Sequence, residues 1–225
     1  MDEGWTRWIF DSYKIPFTSV VDRDLRGGNL NARYDVIILP DQNPGQITRG
    51  LGGNYPDSLR GGVGEEGARA LEQFVENGGT VLAFNEASDY AIDTFKLPVK
   101  NVLAGVRNTG VLRPGSLFKV TLDKGNPIAA RHTASTAAVW FEDSPAFEIT
   151  DPTRAKAVAT YESSGNALVS GWLMGPERLY GKAALVEATV GKGKVVLYGF
   201  RPQYRGQTNS TLPFIWDAIG RGPAQ

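Results

Sequence analysis

The chain contains no cysteine and a single histidine, His132. Without cysteine there are no disulfides, no thiolate zinc sites and no cysteine nucleophile. A zinc site built from two histidines and a carboxylate is excluded as well, because one histidine cannot supply it. The acidic loops that could offer oxygen ligands to calcium also lack the twelve-residue spacing of an EF-hand. We therefore predict no resident metal or cofactor.

Net charge and long apolar runs are absent too. Acidic and basic residues number 24 each, so no overall field attracts nucleic acid or an anionic membrane. No apolar run approaches the about 20 residues that span a bilayer. The acidic start MDEGWTRWIFDSY has helical spacing and does not resemble a signal peptide. We predict neither a nucleic-acid nor a membrane partner. We also predict that the chain is a domain excised from a longer protein.

The first half of the chain has the pattern of an α/β fold. Residues 2–14 have helical spacing with an aromatic face, Phe17 to Val21 is β-prone, and Asp35 to Pro40 is a continuous apolar run. From Gly64, an amphipathic helix, a Gly-Gly stop and the strand Thr80 to Phe84 follow in succession. These units predict a parallel sheet flanked by helices.

The second half is rich in β-strand signals. Turn residues separate six β-prone stretches, Leu117–Leu122, Ala137–Phe141, Ala155–Tyr161, Ala167–Leu173, Ala183–Val190 and Lys194–Phe200. A last helix is predicted over Thr208 to Ile219, and the glycine-rich stretch Gly45 to Gly64 is predicted to be a surface loop. We predict one domain over residues 1–225, with a β-rich insertion at roughly 98–180.

Several phrases point to a known fold. YDVIILP, LEQFVENGGTVLAF and GKGKVVLYGF resemble the class I glutamine amidotransferase-like fold, a flavodoxin-like three-layer α/β sandwich. DEGWTRWIFDSYKIPF, GGVGEEGARALEQFVENGGT, LPVKNVL, PGSLFKV, WFEDSPAF, SGWLMG and GFRPQYRGQ resemble the amidotransferase-like domain that follows the catalytic domain of large bacterial zinc carboxypeptidases. The resemblance implies a non-peptidase accessory module of a secreted or periplasmic enzyme, with the neighbouring peptidase domain as its partner.

The amidotransferase triad is missing from the positions where the resemblance would place it. The nucleophile turn reads Asn85-Glu86-Ala87-Ser88, without a thiol, and the His and Glu positions read Arg201 and Gln203. Arginine stays protonated and cannot be a general base, and a neutral amide cannot stabilise an imidazolium. We therefore expect a catalytically silent domain with a structural or recognition role.

Two alternatives remain open at this point. A remodelled hydrolase would use Ser88 or Glu86 as nucleophile, with His132 or an acidic residue as helper. Against it, His132 lies in a polar, turn-like segment, and carboxylates near a helix start are explained by capping and the helix dipole.

A binding module is the second alternative. It would hold a peptide or carbohydrate at the carboxyl ends of the strands through Asn85, Arg201, Tyr204 and Arg205, with Arg201 gripping a carboxylate. Trp5 and Trp8 on the first helix are suited to docking against a neighbouring domain or to self-association.

Overall fold

A computed structural model describes residues 1–53, 55–56, 60–106 and 115–220. In this part of the chain, ten strands form one connected sheet, whose main path runs β1-β2-β10-β9-β7-β4-β5. The parallel strands are β1 (Val36–Leu39), β2 (Thr80–Phe84) and β10 (Gly193–Tyr198). The sheet is therefore parallel at one end and antiparallel over the rest.

The parallel strands are buried on both faces, as their continuous apolar runs predict. Alternate residues of β2 enter two separate cores, with Leu82 and Phe84 in one and Val81 and Ala83 in the other. Since successive side chains of a strand point to opposite faces, the two cores lie on opposite sides of the sheet.

One core is covered by four helices: α2 (Asp22–Arg26), α3 (Pro44–Arg49), α4 (Gly64–Glu76) and α5 (Ala87–Thr94). Helix α4 begins with two acidic residues, which suit its positive end, and buries Leu71, Phe74 and Val75. The chain turns away two residues after the end of α4, at Gly78, whose φ of 108° favours glycine. At Gly79 a Cβ would lie 2.4 Å from the Phe74 ring, so close packing also requires glycine there.

The other core is covered by α1 (Asp2–Ser12) and α6 (Leu212–Ala218), together with the antiparallel strands. Pro213 lies in the first turn of α6, where its missing N–H costs nothing. The aromatic face predicted for α1 is only partly correct: α1 buries Ile9 and Phe10, whereas Trp8 is 52% exposed. None of the helices in the described part of the chain is long and apolar enough to cross a membrane.

The antiparallel strands are β3 (Val99–Asn101), β4 (Ser116–Leu122), β5 (Thr136–Phe141), β6 (Phe147–Ile149), β7 (Ala155–Thr160), β8 (Leu168–Ser170) and β9 (Ala183–Val190). The predictions for β4, β5, β7 and β9 are confirmed within two residues at each end. Strands β3 to β8, all from residues 98–180, join the same sheet as β9 and β10.

Four local predictions need correction. Residues 17–21 do not form a strand, because their backbone pairs with no neighbouring strand. The last helix begins only at Leu212, after a turn in which Thr211 donates to the carbonyl oxygen of Pro202. The strand expected at 167–173 is reduced to β8, since Ser116 Oγ binds both backbone groups of Trp172. The predicted loop at 45–64 contains α3, while residues 54 and 57–59 lie outside the described residues.

Candidate site at the carboxyl ends of the parallel strands

Three parallel strands end at the same edge of the sheet, and each is followed by a polar residue. Asp41 follows β1, Asn85 follows β2 and Arg201 follows β10. Ligands of open α/β sheets bind at this edge, so these residues define the candidate site.

Asn85 forms the sharp corner between β2 and α5. Its φ is 50°, a left-handed conformation that asparagine tolerates better than most residues. Its N–H donates to Tyr198 O at 2.8 Å, and its side-chain Nδ2 donates to Asp41 Oδ1 at 3.1 Å. The side chain is fully buried, and its Oδ1 has no hydrogen-bond partner among the described residues. Asn85 therefore binds inward, to the strand edge, at the position of a nucleophile elbow.

Arg201 is surrounded by carboxylates. Its Nε lies 2.6 Å from Asp41 Oδ2 and 3.7 Å from Asp2 Oδ1, and its Nη1 donates to Glu142 Oε2 at 2.5 Å. These attractions raise the pKa of Arg201 despite its burial, which acts in the opposite direction. Two of its five N–H donors and most of its charge are thus already engaged by carboxylates of the chain itself, which weakens the attraction that a ligand carboxylate would feel.

Asp41 connects the arginine to the elbow. Its Oδ1 accepts from both Asn85 Nδ2 and the Glu86 backbone N–H, each at 3.1 Å, while its Oδ2 binds Arg201. Only 7% of this side chain is exposed. The sequence reasoning missed Asp41, Glu142 and Asp2. Asp41 could have been found, because it is a carboxylate that closely follows the apolar run of β1. Asp2 and Glu142 carry no such signal, since they come from elements that are distant in the sequence.

Ser88 is the second residue of α5 and is fully buried. Its Oγ is 3.0 Å from Ala83 O and 3.2 Å from Tyr198 O, both backbone acceptors. His132 lies elsewhere: its Nε2 is 2.9 Å from Ser210 O and its ring stacks on Phe214 at 4.0 Å. None of the described contacts joins Ser88 to His132, which argues against a Ser88–His132 pair.

Gln203 is buried and faces α1. Its Nε2 lies 3.2 Å from Thr6 Oγ1, and its Oε1 has no hydrogen-bond partner among the described residues. The amide therefore helps to fix α1 against the turn after β10.

Glu86 is the most distinctive ionisable group of the elbow. Burial raises the pKa of its carboxyl, and the negative charges of Asp41, Asp143 and Asp89 act in the same direction, whereas a hydrogen bond with Asn43 opposes them. Carboxylates with a raised pKa occur in active sites, and they also occur in structural networks. Glu86 therefore keeps its proton to a higher pH than an ordinary glutamate does.

An aromatic pair borders the arginine. The Trp140 and Tyr204 rings are parallel within 12° and 4.4 Å apart, and the guanidinium carbons of Arg201 and Arg205 lie 5.7 and 5.1 Å from the Tyr204 centroid. Arg205 is exposed and has a left-handed φ of 50°. Stacking and cation–π contact fix Tyr204 over the network.

No group of three or more His, Asp or Glu side chains suited to holding a metal ion occurs among the residues described.

Solved structures with the same arrangement of elements identify the fold. A ThuA-like protein from Bacteroides uniformis ATCC 8492 superposes with a TM-score of 0.54 at 11% identity, over 96% of this chain and 80% of that one. Cytoplasmic Protein STM3548 from Salmonella typhimurium superposes with a TM-score of 0.52 at 13% identity, over 92% of this chain and 76% of that one.

The chain has the class I glutamine amidotransferase-like fold. Its mixed α/β sheet fits the flavodoxin-like arrangement expected from the sequence. No protein-family model matches the chain, and no curated protein matches its sequence. At such low identity the structural likeness establishes the fold alone.

Proposed function

We propose that this amidotransferase-like domain is catalytically silent and serves as a structural or recognition module. The observation that supports the proposal is the Arg201 network. Asp41 joins Arg201 to the elbow residues Asn85 and Glu86, so the space around a former nucleophile is occupied by a paired ion cluster. The absence of cysteine from the whole chain agrees with it.

The surroundings of Ser88 also support the proposal that the elbow is not catalytic. A serine nucleophile must expose its Oγ to substrate and give its proton to a base. Here the hydroxyl is buried, and its single proton is shared between the main-chain carbonyls of Ala83 and Tyr198, so that it bridges the end of β2 and β10.

We further propose, from the sequence resemblance, that the domain accompanies a zinc carboxypeptidase-like catalytic domain in a secreted or periplasmic protein. Residues 98–180 would be a β-rich insertion relative to simpler members of the fold. Helix α1 would face the peptidase domain, because Trp8 exposes 52% of its surface beside Trp5. Self-association through the same face is the alternative use of these tryptophans.

Assays of the purified chain for glutaminase, esterase and amidase turnover test the proposal that the domain has no catalytic activity. We expect no turnover above that of a Ser88→Ala, Glu86→Gln double variant with the same circular dichroism. Turnover that this double variant loses would reject the proposal.

A remodelled hydrolase is the second candidate, and the raised pKa of Glu86 is the observation that favours it. It would use Glu86 as general acid or nucleophile. If it is correct, Glu86→Gln abolishes turnover while Ser88→Ala retains it. As Glu86 ionises with rising pH, activity falls if Glu86 is the general acid and rises if it is the nucleophile.

A further inference from the structure

A cleft of about 600 Å³ lies along the outer edge of β1. Strand β1 ends the sheet and pairs only with β2 among the described strands. The opposite wall of the cleft is formed by residues 16–21, which we call the strap. Its volume falls within the range of about 300–1,000 Å³ that is usual for ligand sites.

The backbone of β1 presents to this cleft hydrogen-bonding groups that no described residue uses. Thr80 N–H donates to Asp35 O at 3.0 Å, so Asp35 directs its carbonyl towards β2. Backbone direction alternates along a strand, so Ile37 also faces β2, and Val36 and Ile38 turn their N–H and C=O groups the other way. The cleft is therefore bordered by a regular row of two donors and two acceptors.

The strap does not use these groups. Within the described residues, no backbone hydrogen bond joins residues 16–20 to β1 or to any other segment. Phe17 and Val21 remain 40% and 44% exposed, although both line the cleft. The second wall thus also offers unpaired backbone and apolar surface.

Both hydrophobic cores extend beyond β1 into the cleft. Phe10, Ile15 and Ile219 line it from the core under α1 and α6. Leu25, Ile47 and Val63 line it from the core under α2 to α4. An element that fills this space needs apolar side chains pointing to both faces alternately, which is the property of a buried β-strand.

Both arginines that line the cleft are already engaged. Arg7 pairs with Glu3 at 2.9 Å, and the Arg33 guanidinium donates to two backbone carbonyls, those of Asp24 and Gly28. The carboxylates of Asp22 and Asp35 line the cleft as well, so an apolar occupant without negative charge complements it better than an anionic one.

We propose that this cleft binds an extended apolar segment of a partner protein, which adds to β1 as a new edge strand. The segment would contribute about four residues, matching the length of β1. This inference rests on the recognition role proposed above and does not depend on the chemistry of the elbow.

A blocked peptide, acetyl-Lys-Val-Ile-Val-Leu-Lys-amide, tests the proposal on the full ¹⁵N-labelled chain. At saturation we expect amide hydrogen exchange of Val36 and Ile38 to slow about tenfold or more, since each N–H gains a partner. The amide of Ile37, already bonded to β2, should change much less. The same peptide with its four central amides N-methylated should bind at least about tenfold more weakly, because it keeps the side chains but loses the donors.

A matched pair of variants locates the binding edge. Ile38→Pro removes the outward N–H, a change that edge strands tolerate, and should weaken peptide binding about fivefold or more relative to Ile38→Val. If Ile38→Pro does not fold, the comparison of the two peptides on the unchanged chain decides the question.

Three results would overturn the proposal. They are no response of Val36 and Ile38 to millimolar peptide, equal affinity for the N-methylated peptide, and slow exchange of both amides in the free chain, which would mean that the strap itself pairs with β1. Enzymatic turnover would contradict the proposal that the elbow is catalytically silent, without affecting the proposal for this cleft. Failed peptide binding in a chain without turnover would contradict only the proposal for the cleft.

Discussion

Replacing Arg201 by alanine should destabilise the fold markedly, because it leaves carboxylates facing one another without a cation. Asp41, Asp2 and Glu142 surround the guanidinium, with side-chain exposures of 7%, 17% and 35%. In the variant, Asp41 would keep only the hydrogen bonds from Asn85 and Glu86.

The magnitude follows from the partial burial of the cluster. At an effective dielectric constant of about 20, charges 2.6 Å apart attract by about 6 kcal/mol, most of which offsets desolvation. Removing one partner of a fully buried pair costs about 3–5 kcal/mol. Because Arg201 is 19% exposed, we expect the free energy of unfolding to fall by about 2–4 kcal/mol. In a domain of this size the melting temperature should fall by about 5–12 °C.

The assay is urea unfolding at pH 7 and pH 4.5, with Arg205→Ala as the control. Arg205 is exposed and its guanidinium lies over the Tyr204 ring, so its loss should cost less than about 1 kcal/mol. Burial already raises the pKa of Asp2, and without Arg201 that pKa would rise further. Protonation then relieves the repulsion, so the deficit of Arg201→Ala should shrink at pH 4.5. A loss below about 0.5 kcal/mol at pH 7, or an equal loss at both pH values, would refute the network's role.

Three further predictions concern other parts of the fold. Ser88→Ala should lower the free energy of unfolding by about 0.5–1.5 kcal/mol in chemical denaturation, since the one buried hydroxyl proton that lies near the carbonyl oxygens of Ala83 and Tyr198 is lost, and a neutral effect would contradict the bridging role. Gly206→Ala should cost about 1–3 kcal/mol and shift tryptophan emission to the red, because φ is 66° and a Cβ would lie 2.4 Å from the Trp8 ring. Gly4→Ala, with open space at the Cβ position, is its control and should not destabilise. Burial, reinforced by Lys124, lowers the pKa of His132 below its usual 6.5, so the stability that its neutral form contributes should be complete above that pH and be lost as pH falls. His132→Gln should remove this component from a plot of melting temperature against pH, and an unchanged slope below pH 6.5 would contradict it.

Strong periodicity made much of the fold predictable. Helix α4 and strands β1, β2 and β9 follow from patterns confined to single segments, and the structure confirms them within one or two residues. The strands β3 and β6 were missed, because segments of three residues carry too little pattern of their own. Residues 17–21 have strand propensity but no strand partner, and pairing is a tertiary event.

For the candidate site, the sequence identified several residues but not the contacts that they make. Asn85, Glu86, Ser88, Arg201 and Gln203 could be singled out because the sequence orders strands and turns, and a resemblance aligned them with a catalytic triad. What these side chains do depends on elements far apart in the chain: Arg201 is 160 residues from Asp41, and the hydroxyl of Ser88 reaches a carbonyl 110 residues away.

The sequence by itself determined what this protein cannot use, a thiol or a histidine-rich metal site, and where buried strands and the main helices form. Only the tertiary structure decided that Arg201 lies among carboxylates, that Ser88 and Gln203 point into the packed interior, and that β1 has an edge beside a cleft with which no described strand pairs. The physical reason is that composition and periodicity act locally, whereas ion pairing, burial and strand pairing depend on which distant segments the fold brings together.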